Sequence, residues 1–488
     1  MTDGLLTRST TVLEPDSSRT LLHLFIAGQE DFGSPSGRAG SVMDRALRLT
    51  EAEVRTELDA VTEVFGPRHR DLDYWLEVHA ERMAGRMPRR VALSRDRLML
   101  IGALFTNEVT VEGAALTNPS IVRFGDTSDG SAQFIMSVRG ISEGHRSSIG
   151  FRTGRIDANG VVHVDTPHHT LNPGLQAEGH LHKRTFAGLL SRLGDLDDDA
   201  RSVLDGLTDQ FSSADLDRQI ARLVKDRETY RNADGTAHRF RMIAERSYSL
   251  AFPSETDPSA RILWPHSAAE WRGMEDLRLV EFRSSDRDFG YFGTYTAFDG
   301  RHVSQQMLHT RDFVSFDVFP VTGMAARGKG LALFPRLVGG KYVALSRHDG
   351  ESNYVAFSDH PESWDKPVRL QSPEHPWEAL QVGNCGSPLE TDSGWLVLTH
   401  SVGPMRCYTI SAILLDIDDP TRVIGHLEHP LIAPLDGGRD GYVPNVVYSC
   451  GATIHNDNLV VPFGINDESI GFASGPVGDV IDAMKYGR

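Results

Sequence analysis

"YFGTYTAFDG", Tyr291–Gly300, opens on an aromatic residue, runs through a short strand-like alternation and closes in a polar turn. The same form returns in "FIMSVRG" from Phe134, "YVALSRHDG" from Tyr342, "WLVLTHSVG" from Trp395 and "LVVPFGIND" from Leu459. A second strand of similar type follows most copies, as in "SSIGFRTG", "SNYVAFSDHPESW", "CYTISAILLDIDDP" and "ESIGFASG". The last four copies start 51, 53 and 64 residues apart. A period near 50 residues built from several short strands suits a β-propeller, and five copies suggest five blades. An irregular all-β sandwich with chance internal similarity is the competing reading.

Helical sequence surrounds this mainly β pattern. Residues 1–95 read as an extended and helical N-terminal region, loop-rich in "GQEDFGSPSGRAGS" and then helical. In "TEAEVRTELDAVTEVF", Thr50 is an N-cap followed by first-turn acids, with Val54, Leu58, Val61 and Phe65 at helical spacing. "DLDYWLEVHAERMAG" is a second helix. Residues 96–488 form the propeller domain, carrying a charged, amphipathic helical insertion at about 184–232.

Fifty basic and 67 acidic residues give a net charge of −17, which argues against a generic nucleic-acid binder or an anionic membrane surface as partner. No run of about 18 apolar residues is present, so no membrane span is expected, and the N-terminus has no signal-peptide pattern. Three cysteines without a CxxC pair fit a reducing cytoplasm rather than a disulfide framework or zinc cluster. His168, His169, His180 and His182 are clustered, but without an accompanying carboxylate or cysteine at a familiar spacing; no metal or cofactor is expected.

The repeat points to a site. The sixth residue of each copy is Arg139, Thr296, Arg347, His400 and Gly464. Related positions in a propeller approach one axis, so two arginines and a histidine would converge at the mouth of one funnel. Arg presents a fixed fork of donors suited to an anion or a polyhydroxyl ligand. Asp349, Asp467 and Lys329 fall beside these points. In "WRGMEDLRL", Trp271–Leu279, a strand start would place Asp276 and Arg278 on one face and Glu275 on the other. Asp276 and Arg278 are then either an ion pair or parts of a catalytic apparatus.

The motifs "LTNPSIV", "FIMSVRG", "GMEDLRL", "GTYTAFDG", "GKGLALFPR", "QVGNCGSPLETDSGWLVLTH", "GYVPNVVYSCG" and "INDESIGFA" run in order over about residues 100–480. In this the chain resembles glycoside hydrolase family 130, inverting β-mannoside phosphorylases and β-mannosidases on a five-bladed propeller. The resemblance implies Asp276 as the catalytic acid, with Leu277 where the family's motif has Pro. It implies Asn118, Arg139, Asp349, Asn445 and Asp467, with Tyr408 as a further match, as holders of the mannosyl ring, and Lys329, Arg347 and His400 as holders of phosphate. Gln381 stands where phosphorylases often carry Lys.

The function expected is inverting phosphorolysis of β-1,2-linked manno-oligosaccharides to mannose 1-phosphate, with inorganic phosphate as co-substrate. Inverting hydrolysis is the alternative and needs a second carboxylate as base; Glu378 and Glu390 are its candidates. A non-catalytic carbohydrate-binding propeller is the third reading. Asp276 is expected to stand free with a raised pKa, and Arg278 to serve the substrate or Glu275. Family members are often oligomeric, so a homo-oligomer is a further expectation.

Overall fold

A computed structural model describes residues 4–26, 37–69, 71–83, 93–179, 181–226, 232–283, 290–434 and 440–486. Most of the "GQEDFGSPSGRAGS" loop, part of the 184–232 block and His180 lie outside these ranges. The chain forms two compact units, one of Ser17–Val111 with His169–Leu171, the other of the remainder.

The smaller unit is helical. Its helices are Gly37–Arg48, Glu51–Phe65, Leu72–Met83 and Arg95–Leu104, beside an antiparallel hairpin of Thr20–Leu24 and Thr106–Thr110. Thr50 caps the second helix: its Oγ1 accepts from Glu53 N at 3.3 Å, while Glu53 Oε2 accepts from Thr50 N at 2.7 Å. Leu58, Leu72, Trp75, Leu76 and Met99 share one core. The unit runs to Val111 rather than to residue 95, because the fourth helix and the strand after it complete this core and hairpin.

The larger unit is mainly β. Among the described residues most of its strands fall in five antiparallel meanders, the first two joined in one sheet where Gly273 pairs with Ser147. The first is Ala115–Asp126, Ala132–Ile141, Ser147–Ile156 and Val162–Val164. The second is Gly273–Phe282, Gly290–Phe298, Val303–Thr310 and Ser315–Pro320. The third is Lys329–Leu333, Tyr342–Arg347, Asn353–Ser358 and Val368–Gln371. In the fourth, Gln381–Asn384 and Leu389–Thr391 both pair with Gly394–Val402, followed by Tyr408–Leu415 and Val423–His426. In the fifth, Val447–Tyr448 and Thr453–His455 both pair with Asn458–Ile465, followed by Ser469–Pro476. The last strand of the fifth comes from the far end of the sequence: Thr7–Leu13 pairs with Ser469–Pro476. The repeated segments are the second strands of the first three meanders and, in the fourth and fifth, the strand with which two preceding short strands both pair.

Both faces of the meanders are apolar because each packs on two neighbours. Ile135 and Phe151 of the first join Met274, Leu277 and Leu279 of the second. Phe282 and Phe292 of the second join Leu331, Leu333 and Ala344 of the third. Val343 and Leu345 of the third join Trp395, Val397 and Ile413 of the fourth. Leu396, Leu398 and Ile410 of the fourth join Leu459, Val461 and Phe463 of the fifth. Val460, Ile470 and Phe472 of the fifth join Leu116, Phe134 and Met136 of the first. Alternate side chains of one strand therefore serve two different cores, as the period of two requires. The helices Lys183–Leu193, Asp198–Asp205, Ser213–Asp226 and Asn232–Ala244 form a separate core around Phe186, Leu190 and Phe240.

Candidate active site

Strand register brings the predicted residues together. The sixth residues of the repeats pair with the first strands of their meanders: Arg139 with Thr117, Thr296 with Glu275, Arg347 with Lys329, His400 with Gly383 and Gly464 with Tyr448. In three of those first strands the register breaks just beyond the paired residue: between Thr117 and Ser120, Glu275 and Arg278, and Lys329 and Ala332. A bulge re-aims the next side chain. At two of these breaks sit Asn118 and Asp276, with φ of 50° and 57°; Asn445 and Asp467, with 63° and 50°, share this left-handed backbone. Asn and Asp tolerate that region best among residues with a Cβ, at a cost that the surrounding contacts must offset.

Arg139 is the hub. Its Nε donates to Ser147 Oγ at 2.9 Å, Nη1 to Asp276 Oδ1 at 3.2 Å and Nη2 to Glu275 Oε1 at 2.8 Å. Both adjacent carboxylates therefore face one guanidinium, which strict strand alternation forbids and the bulge permits. Asp276 Oδ1 also accepts from Asn118 Nδ2. Thr117 Oγ1 donates to Asn118 Oδ1 at 2.9 Å and to Asp467 Oδ1 at 3.3 Å, tying the first meander to the fifth. Glu275 Oε2 accepts from Lys329 Nζ at 2.7 Å. Across the Lys329–Arg347 strand pair, Arg347 Nη1 lies 3.2 Å from His400 Nε2. Gly383 makes room for that contact: a Cβ there would lie 2.5 Å from His400 Cε1 and 2.7 Å from Arg347 Cδ.

Four expectations need correction. Asp276 does not stand free. Burial pushes its pKa up, but Arg139, Arg278, Lys329 and the Asn118 hydrogen bond outweigh burial and hold it down, to about 2. Arg278 does not reach towards a substrate. It is 1 % exposed; its Nε donates to the Cys385 carbonyl at 3.0 Å, Nη1 to the Asp276 carbonyl at 2.9 Å and Nη2 to Tyr448 Oη at 2.9 Å. His400 is not a cation for phosphate. It is 2 % exposed, and burial, then Arg347 and Arg278, push its pKa well below the usual histidine value. The neutral ring stacks on Tyr408 and contacts Tyr448, with Nδ1 3.2 Å from the Asn384 carbonyl; the tautomer with hydrogen on Nδ1 leaves Nε2 to accept from Arg347. Asp349 is an exposed turn residue: Oδ1 accepts from the Glu351 and Ser352 amides, both at 2.9 Å, and Oδ2 from Tyr354 Oη at 2.8 Å.

The base candidates also lie elsewhere. Glu378 caps a 3₁₀ turn, Oε1 accepting from Glu374 N at 2.7 Å and His375 N at 2.8 Å. Glu390 pairs with Arg336 at 2.7 Å and sits opposite Trp395, five residues along the strand from His400. Asp467 is the site carboxyl whose pKa is raised, by burial and by Asp276, against the opposing pull of Arg139. Asn445 is half-buried and its carbonyl accepts from Tyr408 N at 2.9 Å. Gln381 is half-buried, paired with Val402. Ser147, Thr117 and Tyr448 were missed from sequence. Ser147 carried a faint signal as the first residue of the strand after "FIMSVRG".

A buried carboxylate held by an arginine fork, beside further carboxylates and a lysine–arginine pair, is equipment for binding a polyhydroxyl substrate and moving a proton and an anion. It is the candidate active site of this chain. Residues 219–486 match the model of glycoside hydrolase family 130, described as beta-1,4-mannooligosaccharide phosphorylase, and the chain belongs to that family. It is similar to the 1,2-beta-oligomannan phosphorylase of Thermoanaerobacter sp. (strain X514), 33 % identical over 210 residues, which cover 42 % of this chain and 68 % of the relative. The beta-1,2-mannobiose phosphorylase of the same organism is 33 % identical over 206 residues, 41 % of this chain and 66 % of the relative. The matched stretches thus span about two thirds of these relatives and less than half of this chain. Among solved structures, beta-1,2-mannobiose phosphorylase from Listeria innocua in its beta-1,2-mannobiose complex matches at a TM-score of 0.45 and 19 % identity, covering 77 % of this chain and 92 % of that one.

Proposed function

We propose that the chain is an inverting β-mannoside phosphorylase that cleaves β-1,2-linked manno-oligosaccharides with inorganic phosphate and releases mannose 1-phosphate. The observation that carries this reading is the division of the site. Asp276, Asn118, Arg139 and Asp467 gather on one side of Glu275, and Lys329 with its strand partner Arg347 on the other. Both candidate bases for hydrolysis are tied up in other places. A phosphorylase needs an acid and a cationic cradle; a hydrolase needs a second carboxylate to activate water. The printed activities of the two Thermoanaerobacter relatives favour the β-1,2 linkage. The cycle of five shared cores favours a five-bladed propeller with the site at its axis.

In this reading Arg139, Asn118, Asp467 and Asn445 hold the mannosyl ring, and Asp276 supplies the proton for the leaving oxygen, directly or through a sugar hydroxyl. Asp276 is ionised at rest because cations surround it. Phosphate beside Lys329 would offset one of those cations and favour the protonated acid. His400 acts on Arg347, fixing the fork through Nε2. Three cysteines without a CxxC pair fit a reducing cytoplasm.

The test is incubation with β-1,2-mannobiose with and without phosphate. Mannose 1-phosphate formed only with phosphate is the expected result. Free mannose in phosphate-free buffer, with no mannose 1-phosphate when phosphate is added, would make the chain a hydrolase.

A further inference from the structure

Each Glu275 oxygen is committed to a different cation: Oε1 to Arg139 Nη2 at 2.8 Å, Oε2 to Lys329 Nζ at 2.7 Å. The glutamate side chain is 10 % exposed, whereas that of Lys329 is 35 % exposed. The pair therefore lies at the edge of the buried cluster, with the ammonium on its open side. Lys329 has three N–H donors on a flexible stem, so it can turn from one acceptor to another. Its strand partner Arg347 has no carboxylate within ion-pair distance among the described residues; its Nη1 faces the neutral His400, and its Nε has no hydrogen-bond partner. At rest, then, one of the two cations is neutralised by Glu275 and the other is not.

An anion held between Lys329 and Arg347 must compete with Glu275 for the same ammonium. Two anions sharing one cation in a partly buried site repel each other more strongly than in water. We propose that Glu275 is the internal counter-ion that inorganic phosphate displaces from Lys329, an occupant of the anion site until substrate arrives. This rests on the phosphorylase reading. On displacement Glu275 keeps Arg139 as its partner, so the arginine that faces the sugar side stays anchored while the lysine turns to phosphate. The carboxylate is a positioning residue for Arg139 and a competitor for phosphate.

A purely structural ion pair predicts that removing Glu275 weakens every binding event. The displacement model predicts opposite signs at the two subsites. Titration calorimetry of the full chain with inorganic phosphate should show Glu275→Gln binding about 3–10-fold more tightly than wild type, while its KM for β-1,2-mannobiose rises because Arg139 loses an anchor. In a Lys329→Gln background the same substitution should change phosphate affinity less than twofold, since no ammonium remains to be released. Glu275→Asp, one methylene too short to span both cations, should tighten phosphate binding in the same direction and serves if Glu275→Gln does not fold. Phosphate affinity unchanged or weakened in the folded variants overturns the proposal but leaves phosphorolysis standing. A wild-type chain that binds no phosphate and releases mannose without it overturns both.

Discussion

Arg278→Lys separates positioning from substrate contact most cleanly. The wild-type guanidinium makes three buried hydrogen bonds of 2.9–3.0 Å, to carbonyls of Cys385 and Asp276 and to Tyr448 Oη. These partners come from the second, fourth and fifth meanders. Hydrogen bonds from a charged donor contribute about 1.5–3 kcal/mol each. An ammonium keeps the charge but cannot reproduce a planar three-way fork. Losing two of the bonds should cost roughly 3–6 kcal/mol, overlapping the range for breaking a buried charged pair. The Asp276 carbonyl would then be unclamped at a residue whose φ of 57° needs its contacts. A displacement on the order of 1 Å at a catalytic group can cost about 100-fold in rate. The expected result is a lower urea midpoint, a kcat for β-1,2-mannobiose phosphorolysis reduced about 10–100-fold, and a KM within about threefold of wild type. Unchanged stability with a raised KM and normal kcat would refute the reasoning and return Arg278 to the substrate.

Three further outcomes are expected. Asp276→Asn should lower kcat by about 10²–10⁴, the range for loss of a general acid, in steady-state assays. Glu378→Gln and Glu390→Gln should leave phosphorolysis within about threefold of wild type, since one carboxylate caps a turn and the other pairs with Arg336; a loss like that of Asp276→Asn in either would identify a base. Asp276 is depressed in the folded chain, to about 2 against an unfolded value near 3.9, so it contributes stability above about pH 4 that is lost as pH falls towards 2. Denaturant titrations of Asp276→Asn across that window should show a smaller acid loss than wild type.

The repeat was legible because each repeated strand combines an aromatic or apolar start with a Gly or Asp turn, a pattern that survives in one dimension. Four of its five copies carry Gly at or just past the strand end, in "AFDG", "RHDG", "HSVG" and "VRG". The residues those copies delivered to the site followed from register alone. The bulges were not legible. Nothing in "GMEDLRL" says that the strand breaks step after Glu275, and that single irregularity puts both carboxylates on Arg139 and sends Arg278 into the core. Charge states were hidden for a similar reason: His400 is held neutral first by burial and then by Arg347 and Arg278, which come from other meanders, and Asp276, against its burial, is held down by Arg139 and Lys329 from other meanders together with its own strand's Arg278. The N-terminal strand Thr7–Leu13 was read as extended chain because its partner lies more than 450 residues away.

The most direct measurement is a proton and phosphorus NMR time course of the wild-type chain with β-1,2-mannobiose and phosphate, recorded before the products equilibrate. The account predicts α-mannose 1-phosphate as the first-formed product, in step with loss of the disaccharide. Free mannose without a sugar phosphate, or a β-configured mannose 1-phosphate, would contradict it.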